Sequence, residues 1–310
     1  MNALLAWLAR GFIGILQMLP IELVARLGRA AGAIAFVVDR RHRRVALQNL
    51  DLVFGAEKSA EERFAIAREN FRRLGENYVC AIKTASLSRE ALAKRLEWVG
   101  IDQNLASETR PIVGVVGHFA NFELYARFKE QVPGWRVGTT YRALRQPGLN
   151  RILLELRERS GAEFFERRSG AEPLRRALNA GKVVIALLSD QHGGDRGLWL
   201  PFLGHPASCN PAAALFALRY DAALRSAVCY RTGLARWRVE IEPEIPIHNA
   251  DGTARSVEEI QRDINHRLES AIRRDPANWF WVHRRWKPAS AWQKAQFGAG
   301  ANAEAASEPE

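Results

Sequence analysis

The sequence contains a histidine and a glutamate five positions apart, His118 and Glu123, and this pair could perform acid–base chemistry. An imidazole can take a proton near neutral pH, and a carboxylate can orient the ring and stabilise its protonated form. On one regular helix the two side chains would point about 140° apart, so they can meet only across a turn. We therefore expect His118 in a strand-to-helix turn and Glu123 in the first turns of the helix, which Asn121 would cap.

The alternative for this pair is structural: His118 would bond to backbone in the turn, and Glu123 would be a solvated helix residue. A His-x4-acid spacing by itself is a weak signal. The position of the pair strengthens the catalytic interpretation. Residues 113–116, just before it, form an apolar, mostly β-branched run that is typical of a buried parallel strand. Ligands bind at the carboxyl ends of strands in open α/β sheets, so this location favours a catalytic role.

Two more predicted strands end in polar side chains. Residues 135–141 lead to Arg142, and residues 183–189 lead to Asp190. If these strands neighbour residues 113–116, the polar groups converge on one cleft. Further predicted strands are 96–99, 224–230 and 235–241, and further predicted helices are 102–108, 149–160, 212–220 and 256–274. The pattern predicts an α/β fold with a mixed, mainly parallel central sheet flanked by helices.

Composition limits the possible partners and cofactors. The 310 residues are 47% hydrophobic and carry a formal net charge of +11, which points to an anionic partner such as a phosphorylated substrate, an anionic lipid, an acidic protein or nucleic acid. Three cysteines without metal-ligand spacing favour a reducing cytoplasmic setting. The glycine-rich loop after Asp190 lacks nucleotide-binding spacing. We expect no cofactor and no metal.

The first 38 residues are nearly all apolar, but charged residues interrupt them and Pro20 divides them into two predicted helices. The first helix could span a membrane, or it could lie in the interface with Trp7 and Phe12 as anchors. A basic cluster at residues 40–44 follows, as expected for an anchor on the cytoplasmic, anionic face of a membrane. The cluster could also be the solvated start of another helix.

Near the end of the chain, residues 279–288 interleave aromatic side chains with Arg284, Arg285 and Lys287. Such a segment could stack on nucleic-acid bases, lie at a membrane interface, or cap the core while its cations face an anionic substrate. No nucleic-acid-binding signature accompanies it, so we expect no nucleic-acid partner.

Several motifs occur together over most of the chain. They are an apolar N-terminal segment, Arg44 before residues 49–54, the motif from His118 to Glu123, Tyr141-Arg142 with Gln146-Pro147, Asp190-Gln191 followed by residues 200–204 and 206–207, and residues 279–287. With these motifs in this order, the sequence resembles the bacterial lipid A biosynthesis acyltransferase family, which contains lauroyl and myristoyl transferases.

The resemblance implies a fold like that of the glycerol-3-phosphate acyltransferases and an O-acyltransferase at the cytoplasmic face of the inner membrane. An acyl chain would pass from an acyl-carrier-protein thioester to a hydroxyl of a lipid A precursor. His118 would be the general base and Glu123 would orient it. Arg142 would bind acceptor phosphate or the developing oxyanion, and Asp190 would hold Arg142 or sugar hydroxyls. Arg284 and Arg285 would meet the carrier protein or lipid phosphates.

On this interpretation, residues 1–38 are the membrane segment, residues 39–288 the α/β acyltransferase domain, and residues 289–310 a disordered tail. The sequence departs from the family pattern at Ala143, at residues 192–194 and at Cys209. These departures leave the acceptor and the acyl length open. An acyl-CoA-dependent transferase acting on another glycolipid, such as a phosphatidylinositol mannoside, and a non-catalytic membrane-surface protein remain as alternatives.

Overall fold

The computed structural model describes residues 2–101, 107–167 and 169–288. The expected tail and most of the helix expected at residues 102–108 lie outside these ranges. The helices are α1 (Asn2–Met18), α2 (Ile21–Val38), α3 (Arg40–Phe54), α4 (Ala60–Thr84), α5 (Arg89–Ala93), the 3₁₀ helix Phe122–Glu130, α6 (Pro147–Glu158), α7 (Ala171–Asn179), α8 (Ala212–Tyr220), α9 (Val257–Arg274) and the 3₁₀ turn Pro276–Asn278. The strands are β1 (Leu96–Val99), β2 (Ile112–Val116), β3 (Arg136–Tyr141), β4 (Glu163–Glu166), β5 (Val183–Leu188), β6 (Leu198–Phe202), β7 (His205–Cys209), β8 (Ala223–Gly233) and β9 (Arg236–Ile241).

The central sheet has the strand order β1-β9-β8-β2-β5-β3-β4. In the described part of the chain its neighbouring strands are parallel, except for the antiparallel pair β8 and β9. The predicted α/β fold with a mainly parallel sheet is therefore confirmed, and β2, β5 and β3 are neighbours as the cleft requires. Strand β4 and the separate hairpin of β6 and β7 were not predicted. The hairpin was missed because Gly204, Pro201 and Pro206 make its sequence look like a loop.

The two N-terminal helices end and begin around Pro20, as expected. Helix α2 packs closely along α4, where Gly28 and Gly32 face Gly75. A Cβ atom at Gly32 would overlap the backbone carbonyl of Phe71, so only glycine permits this approach. The crossing fixes α2 to the body of the protein through backbone-to-backbone contact.

A buried carboxylate adds a polar connection at the same place. Glu76 of α4 accepts hydrogen bonds from Arg29 of α2, from Arg231 of β8 and from the backbone N–H of Ala235. Its side chain has no exposed surface, and its two cations and the N–H group compensate the loss of hydration. Helices α2 and α4 are thereby connected to the hairpin of β8 and β9.

The outer side of α1 carries large apolar side chains that are exposed. Trp7 is 71% and Phe12 is 53% exposed, and Leu4, Leu8, Ile15 and Met18 fall on the same broad stripe. Within the described residues, however, no helix combines the length and the hydrophobicity that crossing a membrane requires.

The basic cluster forms the first turn of α3. Asp39 caps this helix by accepting a hydrogen bond from the backbone N–H of His42, and Arg40, Arg41 and Arg44 are exposed. The cluster is thus the start of another helix, and Arg40, Arg41 and Arg44 face outward.

Candidate active site

Strands β2 and β5 bring His118 and Asp190 together. In their parallel register Val116 pairs with Leu188, so both strands end at the same level, and each functional residue follows two positions later. The backbone N–H of Ser189 also bonds to the carbonyl of Val116, which extends the pairing toward the site. Register alone therefore places the imidazole beside the carboxylate.

The carboxylate of Asp190 is fully buried, and three donors share its two oxygens. His118 Nδ1 lies 2.8 Å from Oδ1, while Oδ2 accepts from the His118 backbone N–H and from Trp279 Nε1, each at 2.8 Å. Burial by itself raises the pKa of Asp190, but His118 and the Trp279 indole stabilise the anion and lower that pKa to about 2. Asp190 is therefore ionised at neutral pH.

The ionised carboxylate fixes the tautomer of His118. A carboxylate accepts hydrogen bonds, so the ring proton lies on Nδ1 and the lone pair lies on Nε2. The ring contacts Phe122 and Phe280, with centroid separations of 4.9 and 5.6 Å. Gln191 Nε2 is 3.4 Å from His118 Nε2. A ring held at Nδ1 in this way directs Nε2 away from the carboxylate, the arrangement of a histidine with an orienting acid.

Glu123 differs from its expected position relative to His118. It does lie at the start of a helix after the turn, but its carboxylate forms a bidentate pair with Arg157 of α6, with N–O distances of 2.6 and 2.9 Å. The orienting contact at Nδ1 comes from Asp190, because strand register brings that residue to the ring. The expected side-chain cap from Asn121 is absent; its amide donates to Thr84 instead.

A cavity of about 820 Å³ opens at the imidazole. Its lining is mostly apolar, and its polar members include His118, Glu123, Arg142, Arg157 and Gln191. The cleft expected from three converging strand ends is thus present. A second, apolar cavity of about 50 Å³ adjoins it beneath the 3₁₀ helix; Val116, Tyr125, Val137 and Ala186 line both.

Asp190 and Arg142, which were expected to act together, lie in different environments. Asp190 has both oxygens occupied by His118 and Trp279, so it does not hold Arg142 or meet sugar hydroxyls. Arg142 follows β3 at the rim of the large cavity, where it is exposed. That position suits an anionic group entering from solvent.

The aromatic segment near the C-terminus caps the core, which was one of its three expected roles. Trp279 and Trp281 are buried, and the amides of Asn49 of α3 and Asn70 of α4 donate to the carbonyls of Trp281 and Trp279. The indole of Trp279 thereby reaches Asp190.

The two arginines of this segment have different environments. Arg284 is exposed, as a contact with a partner requires. Arg285 is fully buried; its guanidinium donates to the carbonyl of Ser208 and to Cys209 Sγ and lies over the ring of Phe202. The expected contact of Arg285 with a carrier protein or lipid phosphates does not fit this position, because the cation is used inside the core.

Three residues of the site were not predicted: Arg157, Gln191 and Trp279. Arg157 is one of many arginines in a basic sequence, so nothing in the local pattern distinguished it. Trp279 lies about 90 positions from Asp190, and only the tertiary fold joins them. Gln191 was adjacent to a predicted site residue, and that adjacency was the one available signal.

Two more histidines, His192 and His283, lie close to the site. Burial lowers the pKa of His283 to about 4 despite the nearby Asp190 charge, so its ring is neutral, and Nε2 accepts from the His192 backbone N–H.

Within the residues that the structure describes, no three His, Cys, Asp or Glu side chains are grouped so as to hold a metal ion.

A buried carboxylate contacts a histidine at the end of a parallel sheet and at the mouth of a mostly apolar cavity. This arrangement defines a class of α/β enzyme with room for an aliphatic substrate. A family model described as bacterial lipid A biosynthesis acyltransferase matches residues 1–288. The chain belongs to that family, and it is an O-acyltransferase.

Curated relatives agree with this assignment. The lipid A biosynthesis lauroyltransferase of Escherichia coli K12 is 26% identical over 291 residues, which cover 91% of each chain. The lipid A biosynthesis palmitoleoyltransferase of the same organism and a lipid A biosynthesis acyltransferase of Shigella flexneri are each 26% identical over 290 residues, again covering 91% of each chain. The family expected from the sequence motifs is therefore confirmed.

Proposed function

We propose that this protein transfers a fatty acyl chain from an acyl-carrier-protein thioester to a hydroxyl group of a lipid A precursor, with His118 as the general base. The observation that carries the proposal is the contact between His118 Nδ1 and the ionised Asp190, which leaves a basic Nε2 at the mouth of a large cavity. The family of the chain and the names of its relatives support the acceptor.

We assign the orienting role to Asp190, because its carboxylate contacts His118 Nδ1. As His118 Nε2 takes the hydroxyl proton, the imidazolium that forms is stabilised by the carboxylate at Nδ1, as in a Ser-His-Asp triad. The acceptor oxygen then attacks the thioester carbon directly, so no acyl-enzyme intermediate is required. General-base catalysis of this kind contributes roughly 10²- to 10⁴-fold.

The apolar walls suit the acyl chain. From the reacting carbon at His118, the chain extends beneath the 3₁₀ helix toward the small cavity between Trp98 and Ala186. Burying each methylene group there contributes about 0.8 kcal/mol, so the depth of this cavity favours a preferred chain length. The exposed cations Arg284 and Lys287 are available to an acidic carrier protein.

The polar wall suits the acceptor. Glu123 and Arg157 line the cavity together with His118, and their bidentate pair keeps both groups fixed. We assign them to positioning of the acceptor, with Arg142 at the rim for a phosphate group. A guanidinium can bind phosphate with two parallel hydrogen bonds, which adds orientation to affinity.

The apolar stripe of α1 suits attachment in the plane of a membrane. Exposed Trp7, Leu8 and Phe12 would enter the interface, and Arg40 and Arg41 would meet anionic headgroups of the cytoplasmic leaflet of the inner membrane. A lipid acceptor could then reach the cavity without leaving the bilayer surface.

The transferase proposal is tested with purified protein. Acyl-carrier-protein and acyl-CoA thioesters are each offered with a lipid A precursor and with a phosphatidylinositol mannoside, and products are identified by mass spectrometry. We expect transfer from the carrier protein to the lipid A precursor, and loss of transfer in His118→Ala. Equal transfer by His118→Ala and the unaltered protein would contradict the proposed base. Transfer only from acyl-CoA or only to the mannoside would contradict the proposed donor or acceptor.

Membrane attachment is tested by co-sedimentation with vesicles of phosphatidylglycerol or of phosphatidylcholine. Leu8→Glu should weaken binding, because it places a charge on the apolar stripe. Leu215→Glu on α8 is the matched control, since the two leucines are 52% and 47% exposed. Equal loss in both variants, or equal binding to both vesicle types, would contradict attachment through α1 and its neighbouring cations.

A further inference from the structure

Gln191 lies on the reactive side of the catalytic histidine. Its Nε2 is 3.4 Å from His118 Nε2, the nitrogen that must receive the hydroxyl proton. Asp190 keeps the proton of the ring on Nδ1, so Nε2 has a lone pair and the group facing it must be a donor. The side-chain amide of Gln191 therefore directs an N–H group toward the position where the reaction occurs.

Transfer to a hydroxyl group creates a negative charge that needs such a donor. When the acceptor oxygen adds to the thioester carbon, the carbonyl oxygen becomes an oxyanion, and donors fixed in advance at this oxygen lower the barrier. In many enzymes backbone N–H groups next to the base provide these donors.

Several nearby backbone donors are already engaged here. After β2, the N–H groups of His118, Phe119 and Ala120 bond to Asp190, to the carbonyl of Gly117 and to the carbonyl of Asn278. After β5, the N–H groups of His192 and Gly193 bond to His283 Nε2 and to the carbonyl of Ser208.

One charged donor in the cavity wall is engaged as well. The guanidinium of Arg157 is held by both oxygens of Glu123. The amide of Gln191, by contrast, makes a weak contact at 3.4 Å and faces the reacting nitrogen.

We propose that Gln191 is a catalytic residue whose side-chain N–H stabilises the oxyanion of acyl transfer. This inference rests on the proposed function. In the resting enzyme the amide covers His118 Nε2. The acceptor hydroxyl takes that position, within about 3 Å of Nε2, and the amide moves to the thioester oxygen beside it.

The bonds and charges of the step balance. The hydroxyl proton passes to His118 Nε2, a C–O bond forms, and the carbonyl electron pair moves to the oxygen that Gln191 binds. When this pair returns, the C–S bond breaks, and the departing sulfur takes the proton from His118. The products are an ester and a free thiol.

The test compares three substitutions in a transfer assay with the full-length protein, lauroyl-carrier protein and a lipid A precursor. Gln191→Leu keeps the size and removes the donor, and kcat should fall about 10²- to 10³-fold with little change in KM for either substrate. Gln191→Asn keeps a shorter amide and should retain more activity than Gln191→Leu.

Gln191→Glu gives a signature that a structural role would not produce. A carboxylate at this position accepts a hydrogen bond from protonated Nε2 and so favours the form of His118 that cannot act as a base. The pH at which kcat rises should therefore move upward in Gln191→Glu but not in Gln191→Leu. Thermal unfolding of all variants, measured in parallel, separates these effects from loss of fold.

Unaltered protein and His118→Ala are assayed alongside. If the unaltered protein transfers no acyl group, the proposed function is wrong and the role of Gln191 is wrong with it. If it does transfer, and folded Gln191→Leu keeps kcat within about threefold or loses activity only through KM, then the role of Gln191 alone is overturned. An unchanged pH profile in Gln191→Glu also contradicts the inference.

Discussion

Replacing Asp190 by asparagine tests which carboxylate serves the base. Three donors converge on Asp190: the Nδ1–H and backbone N–H of His118 and the indole N–H of Trp279. An asparagine has one oxygen and an NH₂ group, so its NH₂ must face one of these donors. If it faces Nδ1, the ring proton moves to Nε2 and the lone pair needed for catalysis is lost.

The expected fall in kcat for Asp190→Asn follows from the negative charge that the substitution removes. An imidazolium and a carboxylate whose charges lie about 4 Å apart interact by about 4 kcal/mol at an effective dielectric constant of 20. Losing this stabilisation in the transition state lowers kcat about 10³-fold, and the altered tautomer brings the expected loss nearer 10⁴-fold. KM for the acceptor should change little, because Asp190 is buried behind the imidazole.

Glu123→Gln is the matched control. It also exchanges a carboxylate for an amide, but it acts on the pair with Arg157 in the cavity wall. We expect KM for the acceptor to rise about tenfold, as for one hydrogen bond to a charged group, and kcat to fall far less than in Asp190→Asn. Both constants come from initial rates measured by mass spectrometry of the product. If Glu123→Gln lowers kcat as much as Asp190→Asn with unchanged KM, or if Asp190→Asn keeps kcat within tenfold, the assignment of Asp190 is refuted.

Three further outcomes are expected. The lowered pKa of Asp190 stabilises the folded state by about 2 kcal/mol above pH 4, and this contribution is lost as pH falls toward 2. The free energies of unfolding of Asp190→Asn and the unaltered protein, measured in urea, should therefore differ most at neutral pH and converge in acid. Gly114→Val should shift acyl preference toward shorter acyl chains in a competition assay, because Gly114 lines the small apolar cavity. The fold should tolerate this change, since an added Cβ makes only ordinary contact with Ala186 at 3.5 Å. An unchanged preference would place the acyl chain elsewhere. Gly32→Ala should lower the free energy of unfolding by about 1 to 3 kcal/mol by forcing α2 away from α4, whereas Gly11→Ala, with open space around it, should not lower it.

Much of the site's placement could be predicted from local patterns. Strand patterns at residues 113–116, 135–141 and 183–189 identified β2, β3 and β5. The residues that follow them, His118, Arg142 and Asp190, lie at one edge of the sheet. This worked because parallel strands share a direction, so their carboxyl ends lie on the same side.

The roles within the site could not be predicted in the same way. Spacing suggested that Glu123 serves His118, since the two are near in sequence. Strand register instead brings Asp190 to the ring, and α6 supplies Arg157 to Glu123. Likewise, Arg285 looked like a surface cation, but the turn after Trp281 directs it into the core against Phe202.

By itself the sequence determined the class of fold, the chemistry-bearing strand ends and the family, because hydrophobic period and motif order are properties of the chain. Only the tertiary structure decided which acid holds His118, how Gln191 faces its reactive nitrogen, and which cations remain at the surface. These depend on contacts between residues 34 to 77 positions apart, and local pattern carries no information about which of several carboxylates or arginines will meet.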